Sequence, residues 1–73
     1  MNVDTIGVFA GQVWHVLNDS VAMGTKQLKK AAKLKSDKEL YAAIGWLARE
    51  GKITIQTSQE DEKELIITLV PEH

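Results

Sequence analysis

The sequence predicts a single α+β domain of three helices and a small antiparallel sheet, and three observations support this fold class. Apolar residues recur at helical spacing near the amino terminus and again from Leu40 to Leu47. After Gly51 the apolar period shortens from about 3.6 residues to 2, which indicates a strand. A second alternating segment, Leu65 to Leu69, follows a polar loop and completes a hairpin. The 73 residues have room for one core, so the domain is expected to span residues 1–73.

The first helix is expected from about Thr5 to Asn18, with Asp4 or Thr5 as its N-cap. Its apolar residues cover almost half of the helix circumference, a wide arc for a helix with one buried face. Gly7 and Gly11 lie beside this arc, where another element can approach closely. A short strand is expected next, at residues 21–23.

The second helix is expected to start at Thr25 as N-cap and to continue to about Lys33, with Leu28, Ala31 and Ala32 buried and the lysines in solvent. The third helix, at about residues 36–50, begins with a capping box formed by Ser36 and Glu39. Its buried stripe is expected to contain Leu40, Ala43, Ile44, Leu47 and Ala48.

Gly51 is expected to end the third helix in the left-handed conformation. The strand that follows places Ile53 and Ile55 on one face, and Ser58–Lys63 forms a polar loop. The returning strand is expected at residues 64–70 and ends before Pro71. Its alternation puts Leu65, Ile67 and Leu69 on one face, and Ile66 and Val70 on the other, where a lone domain would expose them.

The order helix, strand, helix, helix, strand, strand is the connectivity of a winged helix-turn-helix. Three segments, AGQVW from Ala10, LKKA from Leu28 and AIGWLAREGKI from Ala43, resemble a family of very small bacterial winged helix-turn-helix proteins of unknown function. The resemblance covers essentially the whole chain, and GWLARE is its most specific part. It implies the winged-helix fold and, as the general expectation for that fold, DNA binding.

The charge distribution supports double-stranded DNA as a candidate partner. The net charge is −1, yet six lysines lie between Lys26 and Lys38. In helix-turn-helix docking the second helix of the motif enters the major groove and the first crosses the backbone. The candidate DNA-binding residues are Lys26, Lys29, Lys30, Lys38, Tyr41 and Arg49. Alternatively, the lysines form only a solvated helix face.

Two features argue against tight, specific DNA binding. The loop between the last two strands contains Glu60, Asp61 and Glu62, which phosphates would repel. The third helix has no Asn or Gln and a single Arg, so it is poor in side chains for bidentate base contacts.

The alternative function is a protein-interaction module that forms a homodimer. Tryptophan is enriched at interface hot spots, and the candidate interface residues are Trp14, Trp46, Ile66 and Val70. Trp46 lies off the buried stripe of its helix, so it is either a partly exposed anchor or covered by another chain. Alternatively, both tryptophans cover the core of the monomer.

Composition leaves little support for an enzyme or a membrane protein. His15, Asp19 and Ser20 superficially resemble a hydrolase set, but Ser20 has no glycine-flanked nucleophile turn. With no cysteine and only His15 and His73, neither a disulfide nor a metal site is expected, and nothing suggests a cofactor. The amino terminus has no signal-peptide pattern or membrane span, so a cytoplasmic protein without membrane contact is expected.

Overall fold

The computed structural model describes residues 1–71 and confirms the predicted element order. The elements are α1 (Val3–Ser20), β1 (Ala22–Gly24), α2 (Thr25–Ala31), α3 (Asp37–Arg49), β2 (Ile53–Thr57) and β3 (Leu65–Leu69). Helices α2 and α3 with their short connection form the helix-turn-helix. Strands β2 and β3 with the loop between them, Ser58–Lys63, form the wing. No helix within this part of the chain is long and apolar enough to span a membrane.

The sheet has the order β1-β3-β2, and both pairings are antiparallel. In register, Ile67 of β3 lies between Met23 of β1 and Ile55 of β2. Since alternate residues of a strand point to opposite faces, Ile67 and its two partners share the face that packs on the helices. The expected strand at residues 21–23 is therefore present, shifted by one residue.

The core lies between this sheet face and the three helices. Its largest fully buried side chains come from every layer: Leu17 from α1, Leu28 from α2, Leu40 from α3 and Ile67 from β3. Two predicted core positions are wrong. Ala31 and Ala48 are exposed, because each lies at the edge of the apolar stripe of its helix, next to the solvent-facing side. Ile55 is 43% exposed; it lies on β2, an edge strand that has a neighbouring strand on one side only.

The amino-terminal cap of α1 differs from the expected one. Asn2, rather than Asp4 or Thr5, is the N-cap: its Oδ1 accepts from the Thr5 amide at 2.9 Å, and Thr5 Oγ1 accepts from the Asn2 amide at 2.9 Å. This reciprocal pair satisfies two amides that the first turn would leave free. Helix α1 also continues to Ser20, two residues beyond the expected end.

Helix α2 is shorter than predicted and begins without a side-chain cap. Its N-cap is Gly24, and Thr25 is the first helical residue, with its side chain buried. The helix ends at Ala31 because Lys33 adopts a φ of 60° in the left-handed region. The Leu34 amide then donates to the Lys29 carbonyl at 3.0 Å, and the Lys33 amide to the Lys30 carbonyl at 3.1 Å. These two bonds form a Schellman motif.

Both ends of α3 are fixed largely as predicted. The Ser36 hydroxyl accepts from the Glu39 amide at 3.2 Å. The Glu39 carboxylate, however, accepts from the Lys35 amide at 3.0 Å and not from that of Ser36, so the expected reciprocal box is incomplete. At the other end Gly51 has a φ of 72°, and the Lys52 amide donates to the Leu47 carbonyl at 3.0 Å, which confirms the glycine cap.

Candidate nucleic-acid interface

The outward face of α3 carries three of the predicted DNA-binding residues. Lys38, Tyr41 and Arg49 are all exposed, Tyr41 by 45%. At about 100° per residue they surround Gly45, which is exposed and has no atom within 4 Å of the position that a Cβ would occupy. No side chain covers the centre of this face, so a ligand can approach the helix backbone there.

The three candidate lysines of α2 lie next to this face, but carboxylates contact two of them. Lys29 Nζ lies 3.1 Å from Asp37 Oδ1, at the first turn of α3. Lys26 Nζ lies 3.7 Å from Asp61 Oδ2 in the wing loop. Lys30 is exposed and has no ion pair among residues 1–71. Of the three ammonium groups, that of Lys30 is the one most available to a phosphate.

A groove of about 460 Å³ lies between α2, the first half of α3 and the wing loop. Leu34 and Leu40, both buried, are its apolar part. Its polar lining is four lysines, one tyrosine, one threonine and one carboxylate: Lys26, Lys29, Lys30, Lys63, Tyr41, Thr25 and Asp37. We call this site the lysine groove. Sequence reasoning found the three α2 lysines and Tyr41 but missed Lys63.

The wing is joined to α2 by two carboxylates that the sequence did not reveal as partners. Besides the Asp61 ion pair, Glu64 Oε1 accepts from the Lys26 amide at 3.2 Å. A Cβ at Gly24 would lie 2.5 Å from Glu64 Oε1, so a larger residue at that position would displace the carboxylate. Glu64 thus satisfies an amide at the uncapped start of α2.

A second, smaller groove of about 200 Å³ lies between α1 and α3 and contains both tryptophans. Trp46 is 37% exposed, whereas Trp14 is half-buried and packs on the core. Gly7 and Gly11 line the same groove. A Cβ at Gly7 would make an ordinary contact of 3.8 Å with Trp46 Cζ2, and one at Gly11 would meet nothing within 4 Å. We call this site the tryptophan groove.

The other two candidate interface residues lie elsewhere. Ile66 pairs with Gly24 and Gln56, so it faces away from the helices, on the side of the sheet opposite Ile67. Val70 follows β3, and its amide donates to the Lys52 carbonyl at 2.9 Å. Both side chains are half-buried, so the lone domain exposes them only in part. As the central strand, β3 is flanked by β1 and β2, which shield its outer face.

The groups considered for catalysis do not form a site within the described residues. His15 is exposed, and its ring packs edge-on against Trp14 with centroids 5.5 Å apart. Residues 1–71 contain no cluster of potential metal ligands. His73 lies outside the described residues.

The fold and this helix-turn-helix surface define a winged-helix protein, and comparison with known proteins gives the family. The chain belongs to the winged helix-turn-helix domain family DUF2582, whose model matches residues 1–69. It is similar to protein BT2368 from Bacteroides thetaiotaomicron, known from a solution NMR structure, with 32% sequence identity and a TM-score of 0.78. That match covers 94% of this chain and 79% of the other. Among curated proteins no match is found.

Proposed function

We propose that this protein is a DNA-binding module, with α3 as the recognition helix, and that it acts as a transcriptional regulator. The observation that carries the proposal is the outward face of α3. Lys38, Tyr41 and Arg49 surround a shallow centre at Gly45, and the lysine groove lies directly beside them. Such a surface suits an α-helix that enters the major groove while neighbouring lysines contact phosphates.

The charges favour binding that is weak and mostly independent of sequence. Lysine–phosphate contacts supply affinity that falls with salt, whereas specificity needs contacts with base edges. Arg49 is the one arginine of α3, whose guanidinium can form a bidentate contact with guanine, and it lies in the last turn. The acidic wing loop opposes contact with a phosphate backbone on its side. We therefore propose that one domain alone does not select a sequence strongly.

A titration of backbone amides by NMR tests this function. A mixed-sequence duplex is added at low and at near-physiological salt. Salt-sensitive shifts are expected at residues 26–30 and 38–49, and Lys30→Ala should reduce the slope of log K against log salt by about 0.9. Lys52→Ala is the matched control, because it removes the same charge from the tryptophan groove. Absence of shifts even at low salt would refute the proposal.

A second candidate function is self-association through the tryptophan groove. Gly7 and Gly11 each cost about 1 kcal/mol of helix propensity relative to alanine. The folded chain needs neither for close packing, since a Cβ meets only an ordinary contact at Gly7 and open space at Gly11. With the exposed ring of Trp46 beside them, these glycines favour a second chain in the groove. A two-fold dimer is compatible with DNA binding at paired half-sites.

We propose no catalytic role, since winged helix-turn-helix domains typically bind DNA and do not catalyse reactions. A DNA-binding role agrees with the cytoplasmic location expected from the sequence, which stays a prediction. Turnover that is lost on His15→Ala would contradict the non-enzymatic assignment.

A further inference from the structure

The lysine groove combines features that a surface made only for duplex DNA does not need. It is concave, with a volume of about 460 Å³, which falls within the range of roughly 300–1,000 Å³ for small-ligand sites. Buried leucines, Leu34 and Leu40, form part of its lining, and a half-exposed aromatic ring borders it. Duplex DNA presents phosphates and stacked base edges on a convex surface, so it would leave such a groove unfilled.

We propose that the lysine groove binds an unpaired nucleotide of a single-stranded nucleic acid. The base stacks on Tyr41 above the leucines, and Lys30 and Lys63 bind the flanking phosphates. The inference rests on the proposed nucleic-acid-binding function and names the form of nucleic acid that the same face prefers.

The residue types match what a single strand requires. Proteins that bind single strands combine a basic groove along the backbone with aromatic rings on which bases stack, because every base has a π-face. Four lysines and one tyrosine supply both elements here. Lys30 and Lys63 have no ion pair among residues 1–71, so their ammonium groups are available to phosphates.

The acidic wing favours binding of a single strand over binding of a duplex. A duplex lying across α2 and α3 brings a second phosphate backbone towards the wing, where Glu60 and Glu62 are exposed. A single strand that follows the groove brings one backbone, whose phosphates Lys30 and Lys63 can neutralise. Its unstacked bases can also enter a concave site, which paired bases cannot do without being flipped out.

The carboxylate of Asp37 offers the groove a hydrogen-bond acceptor that a base can use and an acidic side chain cannot. Asp37 lines the groove and pairs with Lys29 through Oδ1. Its other oxygen can accept from the exocyclic amine of cytosine or adenine, whereas the ionised side chains of an acidic peptide have no donor to offer it. We therefore expect oligodeoxycytidine to bind more tightly than oligothymidine, whose base has no amino group.

Fluorescence anisotropy tests the inference with four probes: labelled oligodeoxycytidine of about ten nucleotides, a blunt mixed-sequence duplex, deoxycytidine monophosphate as competitor, and a polyglutamate peptide. The single strand should bind roughly tenfold more tightly than the duplex. Tyr41→Ala should weaken strand binding by roughly tenfold, as expected for one lost stacked base. Tyr41→Phe, which keeps the ring, should retain it. Tyr41 is exposed, so both variants should fold.

Matched variants separate this inference from the proposed function. Lys30→Ala should weaken strand binding more than Lys52→Ala does. If Arg49→Ala weakens duplex binding while Tyr41→Ala leaves strand binding unchanged, the proposed function stands and the inference is wrong. Polyglutamate or the free nucleotide binding as tightly as the strand would also overturn the inference. If neither duplex nor strand binds at low salt, both proposals are wrong.

Discussion

At the scale of single residues, two positions with positive φ end the helices of the helix-turn-helix. Gly51 at 72° and Lys33 at 60° occupy equivalent places in two Schellman motifs. Glycine adopts this region freely, whereas other residues lose about 1–2 kcal/mol there. The same backbone geometry is therefore unstrained at Gly51, after α3, and strained at Lys33, after α2.

This difference predicts opposite effects for two substitutions. Lys33→Gly should raise the free energy of unfolding by about 0.5–1 kcal/mol, because the relief of strain exceeds the added entropy of the unfolded chain. Gly51→Ala should lower it by about 1 kcal/mol, since a Cβ there meets no atom within 4 Å and only the backbone is strained. Urea denaturation measures both. A loss of stability in Lys33→Gly would show that its side chain stabilises the fold.

The two positions also illustrate what sequence can reveal at this scale. Gly51 was predicted because glycine after a helical stripe signals a left-handed cap. Lys33 carries no such signal, so α2 was extended through it. The cap of α1 was missed because Asn2, Asp4 and Thr5 are all competent caps and only the position of the first turn selects among them.

At the scale of elements, the wing and α2 hold each other through Lys26. Its ammonium group pairs with Asp61, and its amide donates to Glu64. The wing thereby places a carboxylate beside one of the lysines that, in the proposed function, contacts a phosphate. Because DNA would have to displace that carboxylate, we expect the wing to weaken the proposed nucleic-acid binding beyond its general repulsion.

Neutralising the contacting carboxylate should therefore strengthen binding more than neutralising a neighbour. Asp61→Asn should raise duplex affinity about 1.4-fold to fivefold, which corresponds to an exposed pair worth about 0.2–1 kcal/mol. Glu62→Gln is the matched control: it removes the same charge from an exposed residue of the same loop that has no ion pair in the described structure. Anisotropy at low salt measures both. Equal gains would mean that only the overall charge of the loop matters.

The order and type of the elements follow from local signals, whereas the lysine groove does not. The spacing of apolar residues, the helix caps and the turn residues are each encoded within a few positions, and together they predict all three helices and the hairpin. The groove brings together Lys26 of α2 and Lys63 of the wing loop, which are far apart in the chain. They meet because β3, the last strand in the chain, is the middle strand of the sheet and pairs with β1, directly before α2. No local pattern predicts which loop residue meets α2, so Lys63 and Glu64 were not recognised as parts of the site.

At the scale of the whole molecule, small size and the tryptophan groove point to a second chain. A chain of this length buries only about 60% of its unfolded surface, so its stability is expected to be marginal. The candidate interface residues do not share one surface: Trp14 and Trp46 share a groove between α1 and α3, while Ile66 lies on the outer face of the sheet. Side-chain periodicity gives the face of each element but not how the faces of different elements combine.

The tryptophan groove predicts a homodimer, which a single substitution in the groove should dissociate. Sedimentation at micromolar concentration should give about twice the chain mass, and the melting temperature should rise with concentration, because association stabilises the folded state. Gly11→Gln places a side chain where the folded chain leaves open space. It should block a partner and yield a single-chain mass, while improved helix propensity keeps the monomer folded.

Gly45→Gln is the matched control for this dimer. It makes the same exchange at another open, mid-helix glycine, but on the outward face of α3 and away from the tryptophan groove. The helix propensity gained is the same, so a difference in mass between the two variants reports on the groove alone. If wild type sediments as a single chain, or if both variants remain dimeric, the tryptophan groove is not the interface. The exposed ring of Trp46 would then belong to the surface of a monomer.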